Sequence, residues 1–154
     1  MREFNDTKQN TTNKQNDNTK VFLGGTWNES TWREELIPLL KVDYFNPIVK
    51  NWTPDCQKEE KRQKSQECNV HLYVITSEMT GVFSIAEVID SAHEFGIETV
   101  FCVITYGFDE EQLKSLDAVG KMVREHQGTY IVAMMKNILI PLAEFLNDAF
   151  LNDA

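Results

Sequence analysis

Five short apolar runs alternate along the chain with stretches whose apolar residues recur at helical spacing. The runs fall at 21–23, 42–45, 70–75, 99–104 and 130–134, and most are rich in β-branched or aromatic side chains. Runs apolar on both alternating faces fit strands of a sheet covered on both sides. After the first run, Thr31 and Glu34 have capping-box spacing, and Trp32, Leu36, Leu39 and Leu40 lie on one helical face, interrupted by Pro38. A polar helix is expected over 55–69 with Asp55 as its N-cap. Ile85, Val88, Ile89 and Ala92 mark a third helix that Gly96 stops, and Leu113, Leu116, Val119 and Val123 mark a fourth, over 109–126, that Gly128 stops. Asn137 is placed to cap a last helix carrying Ile138, Leu142, Phe145 and Leu146. Such alternation predicts an α/β fold of three layers: a doubly wound, mainly parallel five-stranded sheet between helices, flavodoxin-like or Rossmann-like.

Composition bounds this picture. The 154 residues suit one domain, 42% hydrophobic and 25% charged, and residues 20–154 hold all the patterned sequence. Residues 1–19 are dominated by Asn, Thr, Lys, Gln and Asp, and are expected to form a disordered polar tail. The net charge of −9 argues against a nucleic-acid-polymer surface, though not against a nucleoside-sized ligand. No apolar run reaches the roughly 20 residues of a membrane span, and the N-terminus lacks the apolar stretch of a secretory leader. Cys56, Cys68 and Cys102 have no metal-type spacing, and His71, His93 and His126 are scattered, so no metal or cofactor is expected. A cytoplasmic location is the simplest fit to the odd cysteine count. The chain closes on a five-residue duplication, FLNDA-FLNDA, to which the sequence attaches no function.

The chemically suggestive stretch is VHLYVITSEMTGVFSIAEVIDS, residues 70–91. It reads as a buried strand, a glycine-bearing loop and the first turns of a helix. Ligands of open α/β sheets bind beyond the carboxyl ends of the strands, where this loop falls. Gly81 offers backbone freedom there. Glu87 admits two readings. With Ser84 it has capping-box spacing, and it is also placed to face the crevice as a carboxylate nucleophile. Gly24 and Gly25 after the first strand match neither phosphate-binding glycine motif, and are either a tight turn or a ligand-contacting loop. Trp52 is either a lid on the core or a stacking surface for a base. A phosphoacceptor domain of similar strand order would need an aspartate ending the third strand, where Ile75 and Thr76 stand.

Three segments taken together, VFLGGTWNESTWREELIPLL, DYFNPIVKNW and LYVITSEMTGVFSIAEV, resemble the nucleoside 2-deoxyribosyltransferase-like family, in its divergent branch. The resemblance covers roughly residues 20–102, about half the chain. It implies cleavage of the N-glycosidic bond of a 2-deoxynucleoside or its monophosphate, by transfer or hydrolysis, with Glu87 in the nucleophile's place. It also implies substrate contacts from Gly24, Gly25, Thr26 and Trp27, from Asn46 and Trp52, and from Gly81 and Ser84, and a homo-oligomeric assembly. Two positions depart from the family's studied enzymes: Phe22 stands where a tyrosine holds the glutamate, and Gly81 where they carry an aspartate. A retaining mechanism needs a second acid, for which Asp55, Glu59, Glu60 and Asp90 are open candidates. The alternative is a module on the same fold that binds a nucleotide derivative without cleaving it.

Overall fold

The computed structural model describes residues 19–28 and 30–151. The expected tail, apart from Thr19, and the last three residues of the terminal duplication lie outside the described residues. Five strands form a single sheet: β1 (Lys20–Gly25), β2 (Asp43–Phe45), β3 (Val70–Ile75), β4 (Glu98–Ile104) and β5 (Thr129–Ala133). Their spatial order is β2-β1-β3-β4-β5 and every pairing is parallel. This is the flavodoxin-like order, whose topological switch point lies between β1 and β3. The helices are α1 (Trp32–Leu36), α2 (Pro54–Arg62), α3 (Phe83–His93), α4 (Glu110–Glu125) and α5 (Leu139–Phe150).

The two faces of the sheet build two cores, because alternate residues of each strand point to opposite sides. On one face Leu23, Leu72, Val74 and Cys102 pack against Trp32 and Leu36 of α1 and Leu139, Leu142 and Leu146 of α5. On the other, Phe22, Tyr73, Ile75, Phe101 and Val103 pack against Val88 of α3 and Leu116 and Val123 of α4. Helix α2 buries none of its residues, as its polar sequence implies. No helix among the described residues is long and apolar enough to cross a membrane.

The helix ends differ from expectation more than the strands do. Pro38 ends α1 early, and the chain tightens into a 3₁₀ turn over Ile37–Leu39, so Leu39 is left exposed rather than on the buried face. The Thr31–Glu34 capping box is not formed; the Thr31 hydroxyl instead donates to Glu35 at 3.1 Å. Helix α2 begins at Pro54 with Thr53 as N-cap, ahead of the expected Asp55, because a proline in the first turn has no N–H to leave unpaired. Asn137 lies within a 3₁₀ turn, Lys136–Ile138, and caps nothing with its side chain. Helix α4 has a complete capping box between Asp109 and Gln112.

At the end of α4 the left-handed position is taken by Gln127, φ 68°, and not by the neighbouring Gly128. Gln127 N–H donates to the Arg124 carbonyl at 2.9 Å and Gly128 N–H to that of Val123 at 2.9 Å, the paired bonds of a Schellman motif. A side chain is strained in that backbone region. Gln127→Gly is expected to raise stability by about 1 kcal/mol in urea unfolding; a loss would mean that the glutamine side chain makes an offsetting contact.

The first copy of the terminal duplication is structural. Leu146 is fully buried, and Asn147 accepts from the Lys41 N–H at 2.7 Å and donates to the Leu39 carbonyl at 3.0 Å. It thereby pins α5 to the segment entering β2.

Candidate active site

Strand β1 ends in a turn with little room. A side chain on Gly24 would meet the Tyr73 ring at 2.5 Å. Gly25 has φ +113°, and a Cβ there would lie 2.1 Å from the Val74 carbonyl oxygen. Only glycine permits this approach of β1 to β3. Thr26 then stitches the two strands: its N–H donates to the Val74 carbonyl at 2.9 Å and its hydroxyl accepts from the Thr76 N–H at 2.8 Å. The carbonyls left at this strand end are taken by buried Arg33, which donates to those of Leu23 at 3.0 Å, Thr26 at 2.7 Å and Gly25 at 3.3 Å. Burial pushes the Arg33 guanidinium down to about 10, while Glu60 and Glu87 oppose that shift. The group therefore stays charged near neutrality.

Helix α3 follows β3 and starts beside this turn. The capping box between Ser84 and Glu87 is not made. Val82 is the N-cap without a side-chain bond, Ser84 is already helical, and its hydroxyl donates to the Gly25 carbonyl at 3.3 Å. Glu87 turns away from its own helix and forms a close ion pair with the Lys64 ammonium. Both are largely enclosed, with the Glu87 side chain 15% and that of Lys64 20% exposed. The ammonium also lies 5.4 Å from the centre of the Phe22 ring and 5.7 Å from that of Tyr73. Phe22 itself offers Glu87 no hydroxyl, so the partner of the glutamate is an ammonium supplied from the turn after α2.

These groups share a pocket of about 640 Å³ at the carboxyl end of β1, next to the switch point. Phe22, Gly24 and Gly25 form its floor, with Arg33 beside them. Ile48, Val49 and Trp52 close it from the loop after β2, Gln57, Glu60, Lys61 and Lys64 from α2 and its extension, and Phe83, Ser84 and Glu87 from α3. Trp27 and Trp52, 62% and 60% exposed, give the mouth two aromatic surfaces. Glu60 is a second carboxylate on the lining. Burial first, and then the charge of Glu87, raise its pKa from the ordinary carboxylate value, with Lys64 and Arg33 pulling the other way. Thus the pocket pairs one carboxylate held against a cation with another biased toward its acid form.

A family model described as nucleoside 2-deoxyribosyltransferase like matches residues 18–106. The chain belongs to the nucleoside 2-deoxyribosyltransferase-like family. The match runs from the start of β1 to just beyond β4, and so spans every residue that lines the pocket. A comparison with curated proteins finds no match.

Within this family member the structure gathers Gly24, Gly25, Trp27, Trp52, Ser84 and Glu87 around one pocket. It does not bring the other sequence candidates to the lining. Thr26 is buried and spent on the backbone of β3. Asn46 accepts from the Ile48 N–H at 3.1 Å, shaping the loop whose next residues do line the pocket. Gly81 is exposed and does not use a positive φ, and a Cβ placed on it would meet nothing within 4 Å among the described residues. Of the four acid candidates only Glu60 faces the pocket. Glu59 is held by Arg62 at 2.7 Å, and Asp90 borders a separate groove between α3 and α4. Arg33 and Lys64 are not singled out by sequence. Arg33 sits next to Trp32 in a short helix, and Lys64 is one of several lysines in a polar run, so neither carries a local signal.

Proposed function

We propose that this family member cleaves the N-glycosidic bond of a 2-deoxynucleoside or its monophosphate through a covalent glycosyl intermediate on Glu87. The observation that carries the reading is the orientation of Glu87, which is paired with Lys64 in the pocket instead of capping its helix. In the first step a Glu87 carboxylate oxygen attacks the anomeric carbon and the bond to the base breaks. Glu60, in its acid form, delivers a proton to the departing base. In the second step water or another base attacks the same carbon, Glu87 departs as a carboxylate, and Glu60 takes the proton released by the acceptor. Lys64 holds the Glu87 carboxylate in place for attack and pairs with it again as the leaving carboxylate. The two tryptophans at the mouth offer faces for a base to stack on. A homo-oligomer is part of the proposal, and the groove of about 1000 Å³ between α3 and α4, lined by Ile85, Ile89 and Val119, is an apolar surface suited to it. Sedimentation would test that assembly directly.

The reaction is tested by incubating the protein with each deoxynucleoside and deoxynucleotide, with and without a second free base. Exchange of bases marks a transferase, and release without exchange a hydrolase. As an acid, Glu60 must be protonated. The rate should therefore be lost as pH rises through its raised pKa, giving an alkaline limb in kcat/KM. Glu60→Gln should remove that limb and slow substrates with poor leaving bases by about 10²-fold or more. A rate independent of leaving base and of pH in this variant would leave Glu60 without the role.

The non-catalytic reading is favoured by one observation: Gly81, where the studied enzymes carry an aspartate, leaves open space. Tight nucleotide binding with no turnover of any substrate would select it.

A further inference from the structure

Between α2 and β3 the chain does not run straight. Residues Gln63–Glu67 form a wide π turn, a rare geometry that holds only when its surroundings fix it. Helix α2 buries nothing, and Gln63 is the one buried residue of the turn. Yet this turn carries Lys64, the partner of Glu87.

The turn is met from below by His71 of β3, which is wholly buried. The His71 Nε2 lies 2.9 Å from the Lys64 carbonyl oxygen, and its Nδ1 lies 2.8 Å from the Ser91 hydroxyl oxygen. The Tyr73 hydroxyl lies 2.7 Å from the same Ser91 oxygen. A carbonyl oxygen only accepts, so Nε2 carries the proton and donates to Lys64. Nδ1 is then the acceptor and Ser91 its donor, which leaves the Ser91 oxygen to accept from Tyr73. One polarity satisfies all three bonds. The charged and titratable groups around the ring are the Lys64 ammonium from the turn, Asp90 from α3 and Tyr73 from its own strand. Burial, first among these influences, pushes the imidazole down to about 4, so it stays neutral and the chain of bonds keeps its direction near neutral pH.

We propose that His71 is a positioning residue for the pocket: through the Lys64 carbonyl it clamps the π turn that presents the Lys64 ammonium to Glu87. Lys64 is then fixed at both ends. Its backbone is held by His71, and its ammonium by Glu87 and by the rings of Phe22 and Tyr73, which also pack against His71 at 5.7 and 6.4 Å. The catalytic consequence rests on the function proposed above; the clamp itself does not.

Two amide substitutions separate the two ring nitrogens. A glutamine amide reaches where Nε2 sits, and an asparagine amide where Nδ1 sits. His71→Asn therefore keeps a partner for Ser91 and loses the bond to Lys64, while His71→Gln keeps the bond to Lys64. Hydrogen exchange and steady-state kinetics are measured on the full chain. In His71→Asn, amides of 63–68 should exchange about tenfold faster or more while those of β4 do not change. Its kcat on the best nucleoside substrate should fall by about tenfold or more with KM little altered. His71→Gln should restore both. Should His71→Asn fail to fold, Ser91→Ala frees the ring to rotate and should loosen the same amides. Unchanged exchange at 63–68 in His71→Asn or Ser91→Ala overturns the clamp, as does a glutamine variant no better than the asparagine one. Faster exchange in a protein whose wild type turns over no nucleoside supports the clamp and refutes the reaction.

Discussion

Glu87→Gln should lower the rate of glycosidic cleavage by at least about 10³-fold, because the amide keeps the size of the side chain and loses the nucleophilic charge. The variant should also lose about 1–2 kcal/mol of stability, for a reason unrelated to helix capping. Glu87 caps nothing in this structure, but Lys64 is only 20% exposed, and removing its partner leaves an enclosed ammonium with rings, an amide and Glu60, beyond ion-pair distance, to face it. Adding Lys64→Met should recover much of that stability and none of the rate. Urea unfolding and single-turnover kinetics on the three proteins read the two effects separately. Cleavage at near wild-type rate in Glu87→Gln removes the nucleophile assignment, and equal stability of all three removes the ion pair from the structure's energetics.

The second large effect is on folding. Gly25→Ala should destabilise the chain by about 3 kcal/mol, since it combines a strained positive φ with a collision that no rotamer relieves. The atoms it meets are backbone, the Val74 carbonyl oxygen at 2.1 Å and nitrogen at 2.6 Å, so β3 itself must shift. That shift would part Thr26 from Val74 and Thr76, and disturb the pocket floor that β1 forms. Gly81→Ala is the matching control. It sits in open space without a positive φ, and should change stability by no more than about 0.5 kcal/mol. A tolerated Gly25→Ala would show that the bend at the end of β1 is softer than its geometry states.

These two glycines also show where sequence is legible. Gly25 ends β1 and Gly81 stands in the loop after β3, yet Gly81 makes no use of the backbone freedom its place suggests, while Gly25 needs it because β3 passes against it. The strands themselves can be read to within about a residue or two. The inner strands β1, β3 and β4 are buried on both faces and read as mostly apolar runs, whereas the edge strand β2 leaves Asp43 and Tyr44 exposed. Helix starts are less legible because short spacings are degenerate. Ser84 and Glu87, Thr31 and Glu34, and Asp109 and Gln112 share one spacing, and only the last pair forms the box. What decides is whether a better partner stands nearby, and for Glu87 that partner is Lys64, 23 residues earlier. Lys64 stands in a π turn, and the turn meets a histidine that looks isolated in sequence. Glu60 is one acid among four until the fold turns Glu59 toward Arg62 and Asp90 toward another groove. Polar and charged partners from different elements leave no periodic trace, which is why the apolar frame of the site can be read and its electrostatics cannot.

The central claim is that sugar passes through a covalent bond to Glu87, and the most direct measurement is the mass of that bond. Wild-type protein is mixed with the best deoxynucleoside substrate, quenched in acid during turnover, digested and mapped by mass spectrometry. The account predicts a deoxyribosyl adduct on the peptide that carries Glu87, absent from Glu87→Gln under the same conditions. Continued turnover with no adduct there, or with an adduct on another residue, would contradict it.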